Sequence, residues 1–258
     1  MPIATINGRQ VHVQTLGTAG PRIVLVHGML IGSVASWYFT VAPPLSSGHR
    51  LLMYDLRSHG RSEFSPQGYG FRSMARDLRD LVLDWAGGEP VTVAGHSYGA
   101  GIALRFALDY PELTHKVVVI EATLPVVTDE GIQKLTRETA ESLIEMLPPW
   151  QRQAFETGGR RSRKITEQFE TLASKTSMLQ DLMAEPDIDD AELAALARPV
   201  LLCYGTDTVE IMKATCQRLL ATLPDVRAQM LESGHLLPLE APRHLAQVIA
   251  GFVEEQSR

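Results

Sequence analysis

Six runs of five to seven residues, rich in Val, Ile and Leu, recur along the chain: "RIVLVHG" (22–28), "RLLMYD" (50–55), "VTVAG" (91–95), "KVVVIEA" (116–122), "PVLLCYG" (199–205) and "VRAQML" (226–231). They lack the polar alternation of a half-exposed strand. Each therefore predicts a strand covered on both faces, as in a parallel sheet. Helical periodicity fills the gaps. Phe71, Met74, Leu78, Leu81, Val82 and Trp85 recur every three or four residues before Gly87-Gly88 stops the pattern. Ile102, Leu104, Phe106, Ala107 and Leu108 fill a second helix that ends near Tyr110-Pro111, and residues 210–222 and 242–255 read as two more. This alternation predicts an α/β fold, a mostly parallel twisted sheet with helices on both faces. Near the start, Asn7-Gly8 between two short strand-like stretches predicts a hairpin, because that pair favours positive φ.

The rhythm breaks once. Residues 124–197 show no strand pattern but several helical ones, such as Ile132, Leu135, Leu143, Ile144 and Leu147, or Phe169, Leu172, Leu179 and Leu182. The expected organisation is a core made of residues 1–123 and 198–258, with 124–197 inserted as a helical cap over the carboxyl edge of the sheet. Open α/β sheets bind ligands at that edge. The cap supplies Met146, Trp150, Phe155, Met178, Leu179 and Met183. Most of these are expected to be core contacts, and any left over would line a pocket for a medium-sized hydrophobic substrate.

Composition narrows the function. The 258 residues, 45% of them hydrophobic, suffice for one large core with an insertion. A net charge of −6 argues against a nucleic-acid partner, and the basic run "GGRRSRK" (158–164) is short enough to read as a solvated loop or helix start. No apolar run is long enough to span a membrane, and no signal-peptide pattern opens the chain. Cys203 in a strand run and Cys216 in a helical pattern are expected to be reduced, which fits a cytoplasmic location. No Cys/His cluster has metal-ligand spacing and no cofactor is implied. The expected partner is a small-molecule substrate, with no nucleic acid and no membrane; a homodimer is left open.

The chemistry concentrates at "GHSYG" (95–99), where a strand run gives way at once to a helical pattern. Small residues around Ser97 let the chain turn sharply enough to expose its hydroxyl. The helix that follows aims its free N–H groups and positive dipole end at the same spot. A serine hydroxyl needs a base at neutral pH. Of the histidines that follow Ser97, His115 precedes a strand and so lies at the opposite edge, and His244 lies inside the last helix. His235, in "MLESGHLLPLEAP" just past the last strand run, is the predicted base.

With "HGML" after the strand run at 22–28, "DLRSHGRS" after that at 50–55, "GHSYG", and the late "GH", the sequence resembles the α/β-hydrolase fold superfamily over nearly all of the chain outside the cap. The resemblance implies a serine hydrolase whose oxyanion hole is built from the backbone N–H groups of Met29 and Tyr98. "DLRSHGRS" resembles the family's D-x-R-G-x-G-x-S loop, with Ser58 in place of the usual glycine. It reads as structural, Asp55 and Arg57 pinning neighbouring turns. The family's usual acid follows the strand run at 199–205 as G-x-x-D. Here Gly205-Thr206-Asp207-Thr208 brings the aspartate one residue early. The second candidate is Glu121, which closes the preceding strand run, a place some lactone hydrolases and dehalogenases of the family use. Glu121 is favoured over Asp207, because Asp207 has a fault of register and an alternative task as a helix N-cap.

The leading expectation is hydrolysis of an ester, lactone or thioester through Ser97, His235 and an acid. Carbon–carbon bond hydrolysis or lyase chemistry on the same fold is the first alternative. A ligand-binding protein or receptor with slow turnover is the second. Epoxide hydrolases and dehalogenases are disfavoured, since they carry aspartate where Ser97 stands.

Overall fold

The computed structural model describes residues 2–29, 32–122, 124, 160–184 and 188–255. The predicted hairpin is β1 (Ile3–Ile6) and β2 (Arg9–Leu16), turned by Asn7 and Gly8 with φ of 52° and 75°. The six apolar runs are β3 (Arg22–Val26), β4 (Arg50–Tyr54), β5 (Val91–His96), β6 (Thr114–Ile120), β7 (Val200–Gly205) and β8 (Val226–Leu231). They form one sheet in the order β1-β2-β4-β3-β5-β6-β7-β8, with β1–β2 and β2–β4 antiparallel and every other pairing parallel.

The uninterrupted apolar character of the runs follows from the layering. Val24, Val26, Leu52, Val93, Val117 and Val119 face a cluster built with the helices Phe71–Ala86 and Tyr98–Asp109. Their strand neighbours Ile23, Leu25, Leu51, Met53, Val118 and Ile120 face the other cluster, built with Leu245, Ile249 and Phe252 of the helix Pro242–Glu254. Residues of β3 to β7 mostly have a buried face to fill, so few positions there favour a polar side chain. Strand β8 departs from the expectation, because as an edge strand it leaves Arg227, Ala228 and Met230 exposed. The helix Phe71–Ala86 stops where the sequence says, at Gly87 with φ of 64°, a left-handed cap that a residue without Cβ adopts without strain.

The strand order positions the site. From β3 the chain passes to β4 on one side, and β5 then returns to the other side of β3. The order reverses between β3 and β5, the kind of switch point beyond whose carboxyl ends open α/β sheets bind ligands. The turn after β3 carries Gly28 and Met29, and the turn after β5 carries Ser97.

Between β6 and β7 the described residues form the helices Arg160–Lys175, Met178–Ala184 and Asp190–Ala194 and no strand. Leu172, Met178 and Leu182 are buried in the main cluster. Polar bonds fix the same segment to the loop after β4. Gln168 Nε2 donates to the Ser58 carbonyl at 2.5 Å, the Ser177 amide to Pro66, and the Gly68 and Tyr69 amides to Asp181 Oδ2, each at 2.8 Å. Residues 125–159 and 185–187 of the expected cap lie outside the described residues. So do the pattern at Ile132, Leu135, Leu143, Ile144 and Leu147, the apolar groups Met146, Trp150 and Phe155, and the side chains of Phe169 and Met183. No helix among the described residues is long and apolar enough to cross a membrane. Cys203 and Cys216 are free thiols, the first buried and the second half-buried.

Lys116 ties the last helix to the sheet. Its buried ammonium donates to the carbonyls of Phe252 and Glu255 at 2.7 and 2.6 Å and lies 5.1 Å from the Phe252 ring centre. A cation at a helix carboxyl end satisfies carbonyls that have no partner within the helix. Lys116→Met keeps the stem and removes the charge. It is expected to lower unfolding stability by about 1–3 kcal/mol, read as a reduced urea midpoint with an unchanged slope.

Candidate active site

Ser97 sits in a turn that most residues avoid. Its φ and ψ are 55° and −120°, in the left-handed region. Such a conformation costs on the order of 1–3 kcal/mol and persists only where the surroundings impose it. Here they do. A Cβ on Gly95 would stand 2.0 Å from the Gly99 carbonyl oxygen, and one on Gly99 would stand 2.5 and 2.6 Å from the carbonyl oxygens of Val26 and His27. The two glycines thus let the helix Tyr98–Asp109 press against β3. The Ser97 amide donates to the Ile120 carbonyl at 2.9 Å, and the Ser97 carbonyl accepts from the Ala100 amide at 2.9 Å. The hydroxyl stands at the helix N-terminus, where the first amides have no intrahelical partner and the dipole is positive.

Glu121 follows β6 and is also left-handed, with φ of 50°. Its side chain is fully buried. Oε1 accepts from the Gly205 amide at 2.7 Å, and Oε2 accepts from the Thr208 hydroxyl and faces His235 Nδ1 at 3.2 Å. A carboxylate only accepts, so Nδ1 carries a proton, and in the neutral ring Nε2 then keeps the lone pair. That is the tautomer a general base requires.

His235 lies in the loop after β8. The Gly234 amide and the Ser233 hydroxyl donate to Glu240 Oε2 at 2.6 and 3.0 Å, and the Asp207 amide donates to the Ser233 carbonyl at 3.0 Å. The His235 ring faces that of His96, the residue before Ser97, with centres 5.0 Å apart.

Asp207 is exposed, and its carboxylate makes no hydrogen bond among the described residues. It does not cap the following helix either. The N-cap of Glu210–Thr222 is Val209, without a side-chain bond. Thr208, at the position where the family pattern expects the acid, turns its hydroxyl to Glu121 instead. His115 is exposed at the start of β6, on the opposite edge, and His244 is exposed on the last helix.

The turn after β3 runs against the serine. A Cβ on Gly28 would stand 3.2 Å from Ser97 Cβ. His27 braces this turn. Its Nδ1 is 2.7 Å from the Gly28 carbonyl, and its Nε2 accepts the Leu56 amide at 3.0 Å. Met29 follows, half-buried. Tyr98 opens the helix, and its hydroxyl donates to the Tyr69 carbonyl. Asp55 accepts from the Val34 and Arg61 amides at 2.6 and 2.9 Å and pairs with His12 Nδ1 at 2.7 Å. Arg57 bonds Asp77 and the Gly68 carbonyl. This is the pinning expected of "DLRSHGRS".

Sequence reasoning passed over three residues: Thr208, His27 and His96. His27 and His96 stood inside the quoted motifs, but nothing in a string of letters shows which main-chain atoms a ring will meet. Among the described residues no group of His, Cys, Asp or Glu is arranged to hold a metal.

The family model described as the alpha/beta hydrolase family matches residues 23–248. Protein ABHD8 of Mus musculus is 25% identical over 243 residues, covering 90% of this chain and 54% of the mouse protein. A soluble epoxide hydrolase of Corynebacterium sp. (strain C12) is 36% identical over 120 residues, 46% of this chain and 40% of that protein. The chain spans about half the length of the ABHD8 relatives it matches. Among solved structures, the enol-lactonase of Burkholderia xenovorans LB400 shares the fold with a TM-score of 0.78, at 22% identity over 98% of this chain and 100% of that one.

The site has an acid limit built in. Burial and the neighbouring His27 hold His59 down at about 3, burial and His235 hold His96 down at about 3, and burial lowers His27. Below about pH 6.5 the unfolded chain binds protons that these folded imidazoles refuse. Stability is therefore full above that pH and falls as pH drops, toward about 3 for His59 and His96, by up to about 1.4 kcal/mol per pH unit for each of those two rings. Urea midpoints at pH 7.5 and 5.0 check this, and equal midpoints would contradict it.

Proposed function

The chain belongs to the alpha/beta hydrolase family, and from that premise we propose that it is a serine hydrolase cleaving an ester, lactone or thioester of a medium-sized hydrophobic substrate. The observation that carries the reading is the buried Glu121 carboxylate facing His235 Nδ1, with the His235 ring against the residue before a strained Ser97. In this reading His235 Nε2 takes the Ser97 proton as Oγ attacks the substrate carbonyl carbon. The backbone N–H groups of Met29 and Tyr98 hold the oxyanion. Collapse breaks the bond to the leaving oxygen or sulfur, which takes its proton from His235. Water then gives a proton to His235 as its oxygen attacks the acyl carbon, and collapse frees the acid and returns the proton to Ser97. Glu121 fixes the imidazole tautomer and stabilises the imidazolium.

Residues 124–197 act as the cap in this proposal. Their described part is bound to the loop after β4, beside Tyr69, which in turn holds the Tyr98 hydroxyl. The enol-lactonase supports the lactone branch by its fold. An epoxide hydrolase reaction is disfavoured despite the Corynebacterium relative, since a serine stands where that chemistry uses an aspartate. The two free thiols support a reducing, cytoplasmic setting.

A panel of p-nitrophenyl esters and lactones, with Ser97→Ala as control, tests the reaction. Turnover that vanishes in the control and labelling of Ser97 by a fluorophosphonate are expected. Labelling without turnover of any ester or lactone would favour carbon–carbon cleavage, and absence of both would favour a binding protein. For the acid, Glu121→Gln is expected to lower kcat by roughly a thousandfold or more, while Asp207→Asn leaves it within about threefold. The opposite ranking would assign the acid to Asp207.

A further inference from the structure

His96 occupies the variable position between Gly95 and Ser97, and the reaction as written gives it no task. It closes β5 and is buried. Its Nε2 lies 2.8 Å from the carbonyl oxygen of His235. A carbonyl only accepts, so Nε2 carries the ring proton and donates it. Its Nδ1 lies 3.1 Å from the point where a Cβ on Gly28 would stand. The two imidazoles face each other with planes tilted by 37°. Burial and the proximity of His235 push its pKa down to about 3, so the ring is neutral at the pH where a hydrolase works. One ring therefore closes the strand that carries Ser97, lies beside the turn that carries Met29 and bonds the loop that carries His235.

We propose that His96 is a positioning residue: its Nε2–H bond to the His235 carbonyl ties the base loop to the nucleophile strand and so sets the spacing between His235 Nε2 and Ser97 Oγ. The proposal rests on the serine hydrolase reading above. Among the described residues, the other bonds of the loop do not reach the nucleophile. Glu240 holds Gly234 and Ser233 from the following helix, and the Asp207 amide holds Ser233 from the turn after β7. Glu121 holds only the ring of His235 and leaves its main chain unplaced. His96 supplies the missing bond from within the strand. A displacement of about 1 Å between reacting groups costs on the order of a hundredfold in rate.

The test compares His96→Phe, which keeps a ring and removes the donor, with His96→Gln, whose amide N–H stands at a similar reach from the backbone. The readouts are the rate of fluorophosphonate labelling of Ser97 and the kinetic constants on the best ester of the panel. In His96→Phe, labelling and kcat are expected to fall together by roughly tenfold to a hundredfold, with KM changed less than threefold. His96→Gln is expected to recover most of that loss. A Phe variant as fast as the native protein, or a Gln variant as slow as the Phe variant, overturns the proposal. Should the Phe variant fail to fold, imidazole 15N resonances of the native protein decide. A neutral His96 protonated at Nε2 from pH 8 down to about 5 is expected. A ring that carries its proton on Nδ1, or that titrates near 6.5, overturns it. Absence of labelling in the native protein overturns the hydrolase reading itself and this proposal with it. Labelling of the native protein with an unaffected Phe variant overturns the proposal alone.

Discussion

The contact between Gly99 and the end of β3 carries the rest of the site. Only hydrogen at that α-carbon lets the helix backbone lie against the carbonyls of Val26 and His27. That approach forces the chain to reverse within one residue of β5, and Ser97 is the residue caught in the reversal. The strain is local and modest, and the packing around it is extensive. Helix Tyr98–Asp109 is buried along nearly its whole length against both β3 and the helix Phe71–Ala86. Ser97 is thus carried at the start of a helix that is buried along nearly all its length, which fits the general need for a rigid support beneath a site.

Around this turn the polar groups are arranged as braces. His27 joins the Gly28 carbonyl to the Leu56 amide, His59 bonds the Arg57 carbonyl, and Asp55 gathers amides from two loops. Buried polar groups are tolerated when they are bonded in this way. The imidazoles serve because a neutral ring offers one donor and one acceptor at fixed separation.

Most of this architecture was legible in the sequence. The inner strands were legible because burial on both faces removes most polar residues from them, and Gly87 and Asn7-Gly8 mark stops that need positive φ. Ser97 and His235 stand out in the sequence as candidates because glycines on either side of one and a glycine before the other have a steric meaning. The proposed acid is only partly legible. Glu121 and Asp207 both follow strand ends, and the choice depends on where a side chain points. The left-handed φ of Glu121 and the hydroxyl of Thr208 decide the direction of that carboxylate, and neither leaves a trace in residue spacing. His96 escaped notice because its bond goes to a main-chain carbonyl more than a hundred residues away.

The register of β5 and β6 has a consequence of its own. His96 pairs with Ile120, so Ser97 and Glu121 are the next rungs of two adjoining parallel strands, both with a left-handed backbone. Adjoining strands lie about 4.8 Å apart, and the ladder between them is among the stiffest rulers a protein possesses. A serine and a carboxylate carried this way form a cassette that a single pair of strands can transmit intact. The turn after β7 supports its neighbours through the amides of Gly205 and Asp207 and the Thr208 hydroxyl, so the side chains of Thr206 and Asp207 are the parts of it left open to drift or to redesign.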